Sequence, residues 1–145
     1  VNGTIYIDSS SLLKLLWNEP ESPAVREAVA REHAVVVAAL TELEVSVQLR
    51  ARRLAGASSR HRYDAYVAHL LAFKSMAPFE FLEVPGTVFR LAIEQHCTAA
   101  VHCRSLDRLH LVCMHELGVR RLMTNDVTQA AAARAMKLQV VSPGG

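Results

Sequence analysis

Four aspartates are spread over the 145 residues, and three of them interrupt or end apolar segments. Asp8 closes "TIYID", Asp126 closes "RLMTND", and Asp107 opens the helix-like run "DRLHLV". The fourth, Asp64, sits in the polar stretch "RHRYDAY" and reads as part of an ordinary helix start. Glu44 joins the first three. In "LTELEVSV" it lies four residues after Leu40 and three before Val47, on an apolar helical stripe of Leu40, Leu43 and Val47 that reads as an inward face. Glu42 falls on another face and reads as solvent-facing.

Taken singly, each acid has a plain structural role. Asp8 suits a turn, Glu44 a helix edge, and Asp107 a helix N-terminus, where a carboxylate gains about 0.3–1 kcal/mol from the dipole. Taken together they are harder to accommodate. Carboxylates at ~5 Å repel by about 3 kcal/mol per pair at an effective dielectric near 20. A shared site therefore calls for a cation, and an all-oxygen donor set suits Mg²⁺ or Mn²⁺ better than Zn²⁺. The seven histidines and three cysteines do not offer a rival metal site. His96 to His102 and Cys97 to Cys103 are six apart, which does not place either pair on one helix face, and no C-x-x-C or H-x-x-x-H pair occurs.

The acids need elements that carry them to one place. Ile5–Ile7 reads as a strand, Ser10–Trp17 and Pro23–Glu32 as helices, and the valine-rich run from Ala34 as a buried strand. Helical patterns follow at about Thr41–Leu54 and Tyr63–Phe73, separated by the loop Ala55–Ser59, and Pro78 stops the second. Phe81–Val84 is a short strand. Thr87–His96 and Leu106–Leu117 are helices, with Gly118 as a C-terminal cap. "RRLMTND" is a strand, Thr128–Met136 an alanine-rich helix, and "LQVV" a last strand before Pro143. This alternation predicts a single α/β domain over 1–145, a three-layer α/β/α sandwich around a parallel sheet. In such sheets the ligand site lies outside the carboxyl ends of the strands. Asp8 and Asp126 both fall there, which is why a core strand ends in a carboxylate.

Composition narrows the class further. Half the chain is hydrophobic, enough for a sizeable core, and the net charge of +2 is too small to imply nucleic acid alone. Thirteen arginines against three lysines fit an anionic partner, since guanidinium forks onto phosphate or carboxylate, and fit a GC-rich coding bias equally well. "RARRLAGASSRHR" places Arg50, Arg52, Arg53, Arg60 and Arg62 in one basic stretch, either an RNA or acidic-peptide contact or a solvated face. An odd cysteine count, no signal-peptide pattern and no bilayer-length apolar run lead us to expect a soluble cytoplasmic protein without membrane partners.

Four stretches, "YIDSSSLLKLL", "AALTELEVSVQLR", "RSLDRLHLV" and "LMTND…AAARAMKLQVVSP", resemble in order the successive motifs of PIN-domain ribonucleases, and of VapC toxins of bacterial toxin–antitoxin pairs in particular. The resemblance covers nearly the whole chain. It implies a metal-dependent endoribonuclease with Mg²⁺ or Mn²⁺, an RNA substrate, a cognate antitoxin and a homodimer. By position, the catalytic and metal-binding acids match Asp8, Glu44, Asp107 and Asp126. Ser10 and Thr124 match supporting hydroxyls. Two positions depart from the pattern. Ala38 stands where a serine is common, and Arg108 where a small residue is common. Arg108 could narrow the cleft or touch a phosphate, and Arg50 and Arg53 are, with it, the candidate RNA contacts, against a solvated face for the basic stretch. His110 reads as a hydrogen-bonded core histidine rather than a catalytic base. The alternatives are a non-catalytic PIN-like module binding RNA or protein, a phospho-accepting signalling domain, which would want a strand-end lysine that Lys137 does not supply, and a structural role with the acids as caps.

Overall fold

The computed structural model describes residues 3–145. Five strands form one fully parallel sheet in the order β3-β2-β1-β4-β5, where β1 is Thr4–Ile7, β2 Ala34–Ala38, β3 Phe79–Leu82, β4 Arg121–Met123 and β5 Gln139–Val141. Period-two alternation splits the strands between two cores. Ile5, Ile7, Val35, Val37 and Met123 point to one face, where they meet Leu12, Val25, Val45, Leu49, Leu70 and Phe73. Tyr6, Val36, Ala38 and Leu122 point to the other, where they meet Val88, Leu111, Met114 and Ala133. The first face is covered by α1 (Ser9–Leu16), α2 (Ser22–Ala30), α3 (Ala39–Leu54) and α4 (Arg60–Phe73). The second is covered by α5 (Val88–Thr98), α6 (Ser105–Glu116) and α7 (Val127–Ala135). This is the expected three-layer arrangement.

Chain direction fixes where a site can form. From β1 the strands step outward through β2 to β3, and then the chain returns to lay β4 on the opposite side of β1. The order reverses between β1 and β4, so the crevice beyond their carboxyl ends is the topological switch point. Asp8 follows β1 there, and Thr124, Asn125 and Asp126 follow β4. Bonds from Asp8 N to Met123 O (3.1 Å) and from Thr124 N to Val141 O (3.0 Å) carry the ladder to that edge.

Gly118 ends α6 with positive φ, and Val119 N closes the turn on Met114 O at 2.9 Å, as its cap role predicts. Two expectations need correction. The strand expected at Phe81–Val84 begins at Phe79, directly after Pro78. It is an edge strand paired only to β2, so its burial alternates weakly and its pattern is faint in the sequence. The inward stripe of α3 was misassigned: Leu43 and Val47 are 61% and 55% exposed, and the buried face is Thr41, Val45 and Leu49. Thr41 reads as polar, but its hydroxyl donates to Ile7 O at 3.2 Å, so it packs inward without an unmet hydrogen bond.

Candidate active site

Three of the acids sit at helix N-termini. Asp8 is the N-cap of α1, its Oδ1 accepting from Ser11 N at 3.2 Å. Asp126 is the N-cap of α7, its Oδ1 accepting from Thr128 N (2.8 Å) and Gln129 N (3.1 Å). Asp107 lies in the first turn of α6. Glu44 follows one turn into α3. The positive ends of the helix dipoles thus face the acids and offset part of their repulsion.

Asp8 is buried at the bottom of this arrangement. Ser10 Oγ donates to its Oδ1 at 2.7 Å and Thr124 Oγ1 donates to its Oδ2. Ser10 and Thr124 stand 3.3 Å apart and are themselves held by backbone: Asn125 N donates to Ser10 Oγ and Asp126 N to Thr124 Oγ1, both at 3.0 Å. Burial pushes the Asp8 carboxyl above its usual range, while the bonds from Thr124, Ser10 and Ser11, and nearby His110, pull it back.

Above Asp8 opens a cavity of about 570 Å³ whose walls include Ser10, Glu44, Gln48, Arg104, Asp107 and Asp126. Three of the four acids therefore line one space, and the fourth is tied to its floor through Ser10. Among the described residues no three acid, histidine or cysteine groups are drawn tightly enough to form a closed metal cage. The reason is visible. Arg104 Nε donates to Asp107 Oδ2 at 2.9 Å and its Nη2 to Asp126 Oδ2 at 3.1 Å, so a guanidinium stands between two of the acids. Arg104 therefore supplies positive charge to two of the clustered acids from within the chain. Pairing with Asp107 and Asp126 raises the Arg104 pKa further. The remaining donor set, carboxylate and hydroxyl oxygens around an open cavity, suits a hard divalent ion.

Glu44 reaches the cavity from the edge of α3, and its Oε1 is bonded to Nε2 of buried His110. Gln129, also buried, donates from Nε2 to Asp107 O at 3.1 Å and so ties α7 to α6 beneath the site. The two buried cysteines are poor nucleophiles: burial raises the Cys103 thiol and lifts that of Cys113 to about 11, so neither is a thiolate near neutrality.

Three arginines expected at RNA do not line this cavity. Arg108 is 5% exposed and turns away from the acids, donating to Gln95 Oε1 (2.9 Å) and Val101 O (3.1 Å) and touching Met136 Sδ. The expectation of a phosphate contact there is corrected: the side chain is a strut between α5, α6 and α7. Arg50 and Arg53 lie farther along α3, roughly 9 and 14 Å from Glu44 by helical rise. Arg50 lies over the Tyr63 ring at 5.7 Å, and neighbouring Arg52 over Trp17 at 4.0 Å. Sequence reasoning missed Arg104, although its place three residues before Asp107, one helical turn, was the available signal.

Comparison with known proteins agrees with this geometry. Residues 5–142 match the PIN domain family. Ribonuclease VapC46 of Mycobacterium tuberculosis is 34% identical over 143 residues, covering 97% of this chain and 98% of that protein. Ribonuclease VapC35 of the same species is 31% identical over 146 residues, covering 97% of each. Among solved structures, M. tuberculosis VapC20, a toxin that cleaves the sarcin–ricin loop, superposes with a TM-score of 0.68 at 16% identity, over 88% of this chain and 94% of its own. VapBC2 of Rickettsia felis, bound to a promoter DNA fragment, superposes with a TM-score of 0.67 at 10% identity, over 95% and 97%. With the motifs in order, the acids at the switch point and these relatives across nearly its full length, the chain belongs to the PIN-domain family, among its VapC-type members.

Proposed function

We propose that this protein is an endoribonuclease toxin that hydrolyses RNA phosphodiester bonds with Mg²⁺ or Mn²⁺ and is neutralised by a cognate antitoxin. The observation that carries the reading is the convergence of Glu44, Asp107 and Asp126 on one cavity above Asp8. Asp8, Glu44, Asp107 and Asp126 would hold the cation. Ser10 and Thr124 orient the two oxygens of Asp8. When bound, a divalent ion supplies Lewis acidity at the phosphate and a more acidic water near neutral pH. The ribonuclease names of the relatives support the reaction class, and the solved VapBC complex supports an antitoxin partner. Such a protein acts in the cytoplasm, where its RNA substrate lies. Exposed Leu43, Phe89 and Ile93, which share adjoining surface depressions, suit a homodimer contact. Arg50 and Arg53 remain at the far end of α3 for a longer RNA or an acidic segment of the antitoxin.

The test is cleavage of a fluorescent RNA by purified protein. EDTA abolishes the activity and Mn²⁺ or Mg²⁺ restores it. Cleavage that survives EDTA unchanged sinks the metal assignment. Mn²⁺ binding without cleavage of any RNA tried would favour the non-catalytic module.

The guanidinium between the acids adds a prediction. Arg104→Gln removes the internal counter-ion, so metal-free protein melts at a lower temperature while Mn²⁺ binds several-fold more tightly. Both effects shrink as salt rises, because Arg104 is mostly exposed. Differential scanning calorimetry in EDTA and a Mn²⁺ titration read them. Unchanged values in both would show that Arg104 does not hold the cation's place.

A further inference from the structure

Beneath Glu44 runs a chain of three side chains from three elements. Tyr6, in the middle of β1, is fully buried, and its hydroxyl lies 2.6 Å from His110 Nδ1. His110, on α6, is 2% exposed, and its Nε2 bonds to Glu44 Oε1 on α3. The Tyr6 and His110 rings meet edge to face, 5.7 Å between centroids at 78°, which fixes the imidazole plane.

Donor chemistry sets the direction of the chain. An ionised carboxylate only accepts, so Nε2 of His110 carries the proton it shares with Glu44. In the neutral ring Nδ1 then accepts, and the Tyr6 hydroxyl donates to it. The bond engages Oε1 of Glu44. Among the described residues Oε2 receives no hydrogen bond, and Glu44 lines the acid cavity. A glutamate on an exposed helix edge normally samples many rotamers. This one is held by a buried donor whose ring is in turn held in place by a buried hydroxyl on its other nitrogen.

We propose that His110, locked by Tyr6, is a positioning residue that holds one oxygen of Glu44 and leaves the other for the divalent cation of the acid cavity. The inference rests on the metal-dependent reading above and extends it into the core. Outer groups of this kind change metal affinity by about 10–100-fold when lost.

The test is Mn²⁺ affinity by calorimetry on variants whose fold is checked by circular dichroism. His110→Leu removes the donor and weakens Mn²⁺ about tenfold or more. His110→Gln places an amide N–H near the Nε2 position and stays within about threefold of the wild type. Tyr6→Phe keeps the ring and removes only the hydroxyl. It weakens Mn²⁺ measurably and shifts the ¹⁵N resonance of Nδ1, which loses its donor, while Glu44 keeps the proton on Nε2. A folded His110→Leu variant that binds Mn²⁺ like the wild type overturns the proposal, as does a His110→Gln variant as weak as His110→Leu. Should His110→Leu fail to fold, Tyr6→Phe decides: wild-type Mn²⁺ affinity beside a shifted Nδ1 resonance would overturn it. Wild-type protein that binds no Mn²⁺ would instead remove the metal-dependent reading on which the relay rests.

Discussion

Asp126→Asn and Asp8→Asn each reduce metal-dependent RNA cleavage by at least about a hundredfold, equivalent to roughly 3 kcal/mol of transition-state stabilisation, while the protein stays folded. Asparagine caps a helix as well as aspartate does, so Thr128 N and Gln129 N keep their acceptor in Asp126→Asn. At position 8 the substitution removes a carboxylate whose burial is already unfavourable to its charge. Ser10 and Thr124 can rotate their hydroxyls to suit an amide, so little stability is lost. In both cases charge is separated from shape, and the fall in rate reports the charge. Single-turnover cleavage with saturating Mn²⁺, beside a thermal melt, makes the measurement. Wild-type rates in either variant would take that residue out of the site.

Glu32→Ala produces the opposite pattern, a large loss of stability with the rate per folded molecule unchanged. Glu32 accepts both ends of the Arg121 guanidinium, at 2.6 and 2.9 Å, and Gly3 N at 3.3 Å. Glu32 precedes β2, Gly3 precedes β1 and Arg121 begins β4, so one carboxylate ties three strands at their amino ends. Its side chain is 2% exposed and that of Arg121 20%. Breaking a buried pair costs about 3–5 kcal/mol, and partial hydration of Arg121 places this case near 2–3 kcal/mol. The midpoint should fall by roughly 8 °C for a chain of this size. Because this cluster lies at the end of the sheet opposite the acids, Mn²⁺ affinity below the transition should match the wild type. A loss under 1 °C, or an altered metal affinity, would contradict the account.

The sequence showed most clearly what solvent exclusion dictates. β1 and β2 were legible because a strand covered on both faces must be apolar throughout, and Asp8 stood out because nothing apolar explains a carboxylate there. Glu44 was found for a partly wrong reason. Leu43 and Val47 looked like a core stripe, but they are exposed, and the inward face runs through Thr41, whose polarity disguised it. The family pattern, not the periodicity, singled out the glutamate that lines the cavity. Arg108 misled in the other direction, since a charged residue in a cleft motif reads as a ligand contact, whereas its long stem here spans three helices. His110 was correctly read as a bonded core residue, but its partners are 66 and 104 residues away, and no local pattern encodes such a meeting.

The start of α1 and the start of α7 bear on timing. Asp8 and Asp126 are already committed as caps, so the cleft takes its working shape while the chain folds. An ion bound as proposed would meet both caps already placed, with Arg104 the side chain standing between Asp107 and Asp126. On the proposed function, restraint of such a site falls to a partner that covers the opening.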